Sequence, residues 1–280
     1  MLTSIVTGLC LAAQTPDFTR LWHTGGLDNP ESVISDGRGG FVVSNVSGGG
    51  TERNGQGYLA RLDADGQIVV RNWVSGLNAP KGLAILDGRF FVTDIDAVVE
   101  IAFPDGSVLA RHTVTGANAL NDIAVHDGRL FVSDSRGSRI YVFENGSWSI
   151  WLEDDALDGV NGLLAEPERL LVTTMGAGTL LAVDWADRSL RVLADGLPDA
   201  DGIARATRSG YVISQWPGQV WFWRADRGRE LIFDRRDEPV MMNDIFIADG
   251  RLLIPHWEPG AVSAWRIGCP EQASAPMTPE

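Results

Sequence analysis

The chain has 280 residues with a formal net charge of −14 at pH 7, and an acidic protein of this kind is a poor ligand for nucleic acid, which selects basic surfaces. Its only cysteines, Cys10 and Cys269, form no C-x-x-C pair, so neither a thiolate zinc site nor a disulfide scaffold is expected. The sequence contains no run of eighteen apolar residues, and we therefore expect no membrane span.

The beginning of the chain differs from the rest in composition. Residues 2–13 form a short apolar run that ends in small residues, as in the apolar core and cleavage site of a secretory signal, although the positively charged leader is missing. We interpret residues 1–16 as a signal peptide, which places the protein in the periplasm or outside the cell. The alternative is an N-terminal arm, in which case the protein is cytoplasmic.

A segment of four residues, with a polar residue at its second position and an apolar residue at its fourth, recurs six times along the chain. The segments begin at Pro30, Pro80, Leu120, Val160, Ala200 and Met242. Each is followed by a turn and an apolar run rich in β-branched and aromatic residues, which is typical of strands, and two further strands complete each unit. Four antiparallel strands in about forty residues make one propeller blade. The sequence therefore predicts an all-β, six-bladed β-propeller over residues 17–268.

The two ends of the propeller are predicted to meet in one blade. The segment from Phe18 to Trp22 has the form of an outermost strand but precedes the first repeat, whereas the last repeat supplies only three strands. We therefore expect the N-terminal strand to complete the sixth blade. We also expect the protein to be a monomer. Residues 269–280 are rich in Pro, Ala and Ser without periodicity and are predicted to be disordered.

The residue just before each innermost strand is polar in all six units. These residues are Glu31, Lys81, Asn121, Asn161, Asp201 and Asn243. Innermost strands start at one mouth of the channel, so the six side chains should converge there, where each needs a partner. Two carboxylates (Glu31 and Asp201) and two amides (Asn121 and Asn161) predict a Ca²⁺ site. No His or Cys lies on the ring to favour zinc, and the alternative is a metal-free channel with bound water.

The motifs that open these blades, and their order along the chain, resemble those of the superfamily of senescence marker protein, gluconolactonase and luciferin-regenerating enzyme. The resemblance rests on Glu31-Ser32, Asn161-Gly162-Leu163 and Asp201-Gly202-Ile203, which are similar to the metal-site signatures of that superfamily, and on Asn121-Asp122. It covers the whole propeller and implies a Ca²⁺-dependent lactone or ester hydrolase, with Asn121 near the substrate or the metal.

Lys81 departs from the pattern of that superfamily. An ammonium aimed at the channel opposes a dication unless it pairs with Glu31 or Asp201. Lys81 would then bind an anionic substrate group or the developing oxyanion. Alternatively, Lys81 has replaced the metal in a salt-bridged ring, or extends along the mouth of the channel.

Further candidates surround the expected mouth, because the second strands should end there, at Asn45, Asp94, Asp134, Thr174, Gln215-Trp216 and His256-Trp257. His256 is interpreted as a general base or a structural histidine, with Trp257 stacking on the substrate. The glycine-rich stretch at residues 47–57 is predicted to be a flap over the site, with Arg53 as a ligand contact, or else a long surface loop. Asp94 and Asp134 are interpreted as structural turn formers.

These observations predict a metal-dependent hydrolase of a small-molecule lactone or ester. Asp201 or a neighbour would accept a proton, while Asn121, Lys81 and Asn243 would contact the substrate. Two alternatives remain open: a non-catalytic propeller that binds a ligand or a protein, and a metal-free propeller similar to strictosidine synthase.

Overall fold

The computed structural model of the protein describes residues 15–268, which form six antiparallel sheets arranged as a propeller. The all-β, six-bladed architecture predicted from the repeat is thereby confirmed. The predicted leader lies almost entirely outside the described residues, as do the predicted tail, Cys10 and Cys269. The location inferred from the leader therefore stays a prediction. Within residues 15–268, no helix is long and apolar enough to cross a membrane.

The blades follow one another along the chain, and blades 1–5 each run from their innermost to their outermost strand. Strand β1 (Asp17–Gly25) precedes blade 1, which comprises β2 (Pro30–Ser35), β3 (Phe41–Asn45), β4 (Gly57–Leu62) and β5 (Ile68–Leu77). Blade 2 comprises β6 (Pro80–Leu86), β7 (Arg89–Asp94), β8 (Ala97–Ile101) and β9 (Val108–Thr113). Blade 3 comprises β10 (Leu120–His126), β11 (Arg129–Asp134), β12 (Arg139–Glu144) and β13 (Ser147–Glu153), followed by a 3-10 turn (Asp155–Leu157). Blade 4 comprises β14 (Val160–Ala165), β15 (Arg169–Thr174), β16 (Thr179–Asp184) and β17 (Leu190–Ala194). Blade 5 comprises β18 (Ala200–Arg205), β19 (Gly210–Gln215), β20 (Gln219–Arg224) and β21 (Gly228–Asp234). Blade 6 comprises β22 (Met241–Met242), β23 (Phe246–Ala248), β24 (Arg251–Glu258) and β25 (Ala261–Gly268).

The core lies between neighbouring blades. Phe131 and Trp151 of blade 3, for example, pack in one buried cluster with Leu170 and Leu181 of blade 4. The inner strands are buried on both faces and therefore read as continuous apolar runs, whereas outermost strands such as β9 are largely exposed. Because each blade buries its faces only against its neighbours, the ring must close.

Closure occurs in blade 6, as predicted. Strand β1 pairs antiparallel with β25, from Asp17 opposite Gly268 to Gly25 opposite Ala261. The order of this sheet is β1-β25-β24-β22, with β23 also paired to β24. The N-terminal strand is thus the outermost strand of the last blade.

The innermost strands share an irregularity that positions the site. In blades 1–5 the first residue of the strand pairs with its neighbour, and pairing resumes only at the fourth residue, as in Pro30 opposite Asn45 and then Val33 opposite Val43. In blades 1, 3, 4 and 5 a hydroxyl on the second strand replaces the missing ladder bond; for example, Ser44 Oγ accepts the Ser32 amide at 3.0 Å, and Ser214 Oγ accepts the Gly202 amide at 2.8 Å. In these five blades the predicted polar residue therefore lies within the bulge, as the second residue of the strand rather than before it, whereas Asn243 of blade 6 follows β22.

Candidate functional site

The six polar residues of the repeat converge, as expected, on one cavity at the mouth where the innermost strands begin. We call this the ring cavity; its volume is about 320 Å³. It is lined by Glu31, Gly50, Lys81, Asn121, Asn161, Met175, Asp201, Trp216, Asn243 and Trp257. Five of the six predicted ring residues are buried, and Lys81 is partly exposed.

Lys81 forms an ion pair with Glu31 across the boundary between blades 1 and 2. Its Nζ lies 3.2 Å from Glu31 Oε1, and the Lys81 side chain is 14% exposed. Lys81 is the only lysine in the chain, since the other basic side chains are arginines or histidines. Sequence reasoning overlooked this composition signal, which sets the ring apart from the rest of the surface.

Asp201 is the least compensated group of the ring. Its side chain is buried, and Oδ1 has no hydrogen-bond partner among the described residues. Burial, followed by repulsion from the carboxylates of Glu31 and Asp244, raises the pKa of Asp201 well above its usual value, against the opposing influence of Lys81 and Asn161. One ammonium therefore does not balance the two carboxylates of the ring.

The three asparagines of the ring are held by different partners. Asn121 Nδ2 donates to Ser135 Oγ at 3.2 Å, and Asn161 Nδ2 lies 3.1 Å from Met175 Sδ. Asn243 Nδ2 donates to the Pro30 carbonyl at 2.9 Å and so ties blade 6 to blade 1. Because their amide nitrogens have protein partners, Asn121 and Asn161 can offer their amide oxygens as ligands.

This donor set fits a hard cation. Glu31, Asp201, Asn121 and Asn161 supply only oxygen donors, which suit Ca²⁺, and the unpartnered oxygen of Asp201 is an acceptor without a donor. Residues 15–268 contain no group of three or more His, Cys, Asp or Glu side chains suited to hold a metal ion. A cation here would consequently depend on the two amides as well as on the two carboxylates.

The glycines of the predicted motifs have a structural reason. A Cβ on Gly162 would lie 2.4 Å from the Asp201 carbonyl, and a Cβ on Gly202 would lie 2.3 Å from Asp244 Oδ1. The innermost strands of neighbouring blades approach too closely for any side chain at these positions. The Asn-Gly-Leu and Asp-Gly-Ile motifs thus reflect packing around the channel as well as the polar residue that they present.

A second polar layer lies deeper in the channel, and sequence reasoning did not single it out. Ser32 Oγ lies 3.1 Å from Glu31 Oε2 and 2.7 Å from Asp244 Oδ2. Burial, together with repulsion from Glu31, raises the pKa of Asp244 to about 7. The Ser32 hydroxyl lies within donating distance of both carboxyls but has one proton, so it donates to only one of them at a time.

Asp122 is the other carboxyl of this layer. Its two oxygens accept the amides of Leu163 at 2.6 Å and Ile123 at 2.7 Å. Burial, and then the charge of Asp244, raises its pKa well above the usual value. Both carboxyls line a cavity of about 240 Å³ that otherwise consists mainly of aliphatic side chains. Each of these residues directly follows a ring asparagine, which is the signal that could have identified them.

The apolar wall of the ring cavity comes from two residues that directly follow second strands and from Trp257, near the end of β24. Met175 follows β15 and Trp216 follows β19, and the rings of Trp216 and Trp257 meet edge to face with centroids 6.3 Å apart. Trp257 was predicted to contact substrate and does line the cavity. Met175 was missed because the prediction considered the last residue of this strand, Thr174, whose side chain instead bonds Thr179 within the blade.

His256 lies outside the lining of the ring cavity. It is buried in blade 6, where Nε2 lies 2.8 Å from Ser263 Oγ and Nδ1 has no partner among the described residues. Neighbouring residues of a strand point to opposite faces, so His256 faces away from the side on which Trp257 lies. Burial, with smaller contributions from His23, Arg235 and Arg20, lowers its pKa to about 4. Of its two interpretations, this placement favours the structural histidine.

The glycine-rich loop reaches the cavity through Gly50 rather than through Arg53. The guanidinium of Arg53 forms a two-point ion pair with Asp96 of blade 2, at 3.0 and 2.9 Å, and its side chain is exposed. A Cβ on Gly50, in contrast, would lie 3.9 Å from Lys81 Nζ. The loop therefore lies at the rim of the ring cavity, and Arg53 anchors it to the neighbouring blade.

The structural interpretation of Asp94 and Asp134 is confirmed. Asp94 accepts the amides of Asn78 and Ala79 and the guanidinium of Arg111. Asp134 accepts the amides of Asn118 and Ala119. These buried carboxylates have donors, unlike Oδ1 of Asp201.

Comparison with known proteins yields similarity in structure only. No family model matches the sequence, and no curated protein matches it. A gluconolactonase from Xanthomonas campestris shares 17% identity with a TM-score of 0.64, over 92% of this chain and 97% of that chain. A catalytically inactive variant of virginiamycin B lyase from Staphylococcus aureus, with quinupristin, shares 11% identity with a TM-score of 0.62, over 89% of this chain and 99% of that chain.

A third structural neighbour is a chain of the nidogen/laminin complex. It shares 17% identity with a TM-score of 0.64, over 81% of this chain and 89% of that chain. The three neighbours thus include a lactonase, a lyase and part of a protein complex. At such identities the likeness shows a shared propeller fold, not a shared function.

Proposed function

We propose that this protein is a Ca²⁺-dependent hydrolase of lactones or related carboxylic esters, acting in the ring cavity. The observation that carries the proposal is the buried, unpartnered oxygen of Asp201, beside one further carboxylate and two amides that can turn oxygens toward it. Structural likeness to a gluconolactonase gives support from the fold.

Glu31, Asn121, Asn161 and Asp201 would hold the cation. When bound, Ca²⁺ would supply Lewis acidity toward a carbonyl oxygen and toward water. The affinity would be modest, because amides provide two of the four protein ligands and Lys81 lies on the ring.

The remaining residues of the cavity would handle the substrate. Lys81 is held at 3.2 Å by Glu31 and can donate a charged hydrogen bond to a substrate carboxylate or to oxygen charge that develops during attack. Asn121 would orient the substrate, and Asp201 or a neighbour would accept a proton from the attacking water. Trp216 and Trp257 would pack on the apolar part of the substrate and exclude water.

A second candidate function is a metal-free propeller that binds an anionic ligand without chemistry. The ion pair between Lys81 and Glu31 favours it, because it already neutralises one carboxylate of the ring. The two candidates differ in whether a divalent cation is needed.

Metal content of the purified protein, followed by a panel of lactones and aryl esters with and without chelator, tests the proposal. We expect stoichiometric Ca²⁺ and activity that is lost with chelator and restored by Ca²⁺. In Glu31→Gln and Asp201→Asn, metal and activity should be lost, by about 100-fold or more in kcat/KM, while the propeller stays folded. Glu52→Gln, which removes an exposed carboxylate at the rim, is the matched control and should retain both. Full metal binding in both ring variants would contradict the assignment.

A further inference from the structure

A separate cavity lies between blades 4 and 5 on the face opposite the ring cavity. Its volume is about 480 Å³. Glu166, which follows β14, and Arg205, which ends β18, both line it, so it lies where these innermost strands end rather than where they begin. We call it the arginine groove, because Arg169, Arg191, Arg205 and Arg208 all line it in a protein whose net charge is −14.

Two of these arginines are fixed by a buried carboxylate. Glu166 is 6% exposed and lies 2.8 Å from Arg169 Nε, and it also pairs with Arg205. Tyr211 donates its hydroxyl to Glu166 at 2.7 Å, and the Arg205 guanidinium lies over the Tyr211 ring. The carboxylate, two guanidiniums and the phenol thus form a network in which both oxygens of Glu166 have donors.

The other two arginines are not used by the fold. Within residues 15–268, the side chains of Arg191 and Arg208 have no ion pair, hydrogen bond or aromatic partner, and both are exposed. The other carboxylate of the lining, Glu168, is exposed and pairs with neither. The four arginines therefore exceed the two glutamates by two positive charges.

The groove also offers an apolar surface beside these charges. Leu193 and Trp223 line it together with Tyr211, and both aromatic side chains are buried in the blade. A cavity of this size, with an excess of positive charge on its lining and an aromatic wall, suits a small molecule with an anionic head and a flat or apolar body.

We propose that the arginine groove binds a phosphate monoester with an apolar body, independently of the ring cavity. Arg191 and Arg208 would contact the phosphate, whose two negative charges match the two unpartnered guanidiniums. The network around Glu166 would hold the floor of the groove, and Trp223 and Leu193 would contact the body of the ligand.

Isothermal titration with phenyl phosphate tests the proposal, with the full chain in chelator and again with Ca²⁺. We expect saturable 1:1 binding that is unaffected by Ca²⁺ and unchanged in Asp201→Asn, which separates this site from the proposed hydrolase. Inorganic phosphate and benzoate, which lack the apolar body or the second charge, should bind more weakly.

Two variants locate the binding. Arg191→Gln combined with Arg208→Gln should weaken phenyl phosphate by at least about tenfold, because each guanidinium contributes a charge-assisted hydrogen bond. Ala225→Glu places a carboxylate in the groove without removing a side chain, and should weaken binding to a similar degree. The control is Arg136→Gln combined with Arg227→Gln, which changes the net charge equally at exposed positions outside the groove and should bind as the natural protein does.

Three results would overturn the proposal. They are the absence of saturable binding, an equal loss in the groove and control variants, and loss of phenyl phosphate binding in Asp201→Asn. The first would leave the groove as a structural contact between blades, the second would indicate a response to net charge alone, and the third would place the ligand in the ring cavity.

Discussion

The ring cavity and the arginine groove each contain a buried carboxylate, and their surroundings are opposite. In the ring, Asp201 keeps an oxygen without a partner, and its pKa is raised by burial and by neighbouring carboxylates. In the groove, Glu166 accepts bonds from two arginines and a tyrosine. Burial is similar, so it does not tell the two apart. The two carboxylates differ in their hydrogen-bond donors. Glu166 has donors and stabilises the fold, whereas Asp201 lowers the stability of the fold until a ligand binds it.

The largest expected effect comes from making the same change at both positions. In chelator, Glu166→Gln should lower the free energy of unfolding by about 2 kcal/mol or more, because two guanidiniums and a phenol lose a charged acceptor. Asp201→Asn should be neutral or stabilising under the same conditions, because an amide has no charge to desolvate. Urea unfolding of the two variants measures the difference. An equal loss in both would mean that the Asp201 carboxylate is also satisfied in the protein, and the contrast between the two sites would fail.

Lys81 supplies the ammonium group that partly neutralises the carboxylates of the ring. Lys81→Met should strengthen Ca²⁺ binding by about tenfold or more, because a like charge is removed from the ring, and should lower kcat because a donor to the substrate is lost. Since Lys81 is the only lysine, reductive methylation with ¹³C-formaldehyde labels one side chain and the N-terminus. We expect its NMR signal to shift when Ca²⁺ is added.

The control for this experiment is Lys81→Arg, which keeps the charge and should keep the weaker Ca²⁺ affinity. If neither the natural protein nor Lys81→Met binds Ca²⁺, while Lys81→Met unfolds more easily, then the ammonium has replaced the metal. The metal-free ligand-binding function would follow.

The smallest expected effect is the pH dependence of stability in chelator. Asp122, Asp201 and Asp244 have raised pKa values in the folded protein, that of Asp244 reaching about 7. Folding therefore takes up protons. The stability associated with each group is present below its ordinary pKa and is lost as the pH rises through its raised pKa, which for Asp244 is about 7.

Thermal unfolding between about pH 5 and pH 8 measures this trend. Asp244→Asn should flatten the part of the curve near neutrality, because the amide does not titrate. A slope identical to that of the natural protein would mean that Asp244 carries no shifted proton.

Much of the propeller could be read from the sequence, because its strands follow a local rule that repeats. Each unit alternates apolar runs with turn residues. The strand at Phe18, which precedes the first repeat, indicates that the ring closes by pairing with β25. The convergence of Glu31, Asn161 and Asp201 also follows from the repeat, since equivalent positions must lie equally far from the axis. The register around the mouth did not follow, and Met175 was missed by one residue because a strand reverses its faces at every step.

Some placements depend on contacts between residues far apart in the chain. Arg53 was expected over the site and is instead paired with Asp96 of the next blade, and His256 is withdrawn into blade 6 beside Ser263. The arginine groove joins Arg191 of an outermost strand to Arg205 of the next innermost one, and no sequence spacing indicates that they share a cavity.

The sequence by itself determined the six-fold repeat, the polar ring and the sole lysine within it, because the repeat and the composition are properties of the chain alone. Tertiary structure decided which of the buried carboxylates find donors. Asp94, Asp134 and Glu166 do, and Asp201 keeps one oxygen unpartnered. The physical reason is that a hydrogen bond or ion pair requires two groups within about 3 Å in a fitting orientation, and distant parts of the chain reach that distance only when the blades pack.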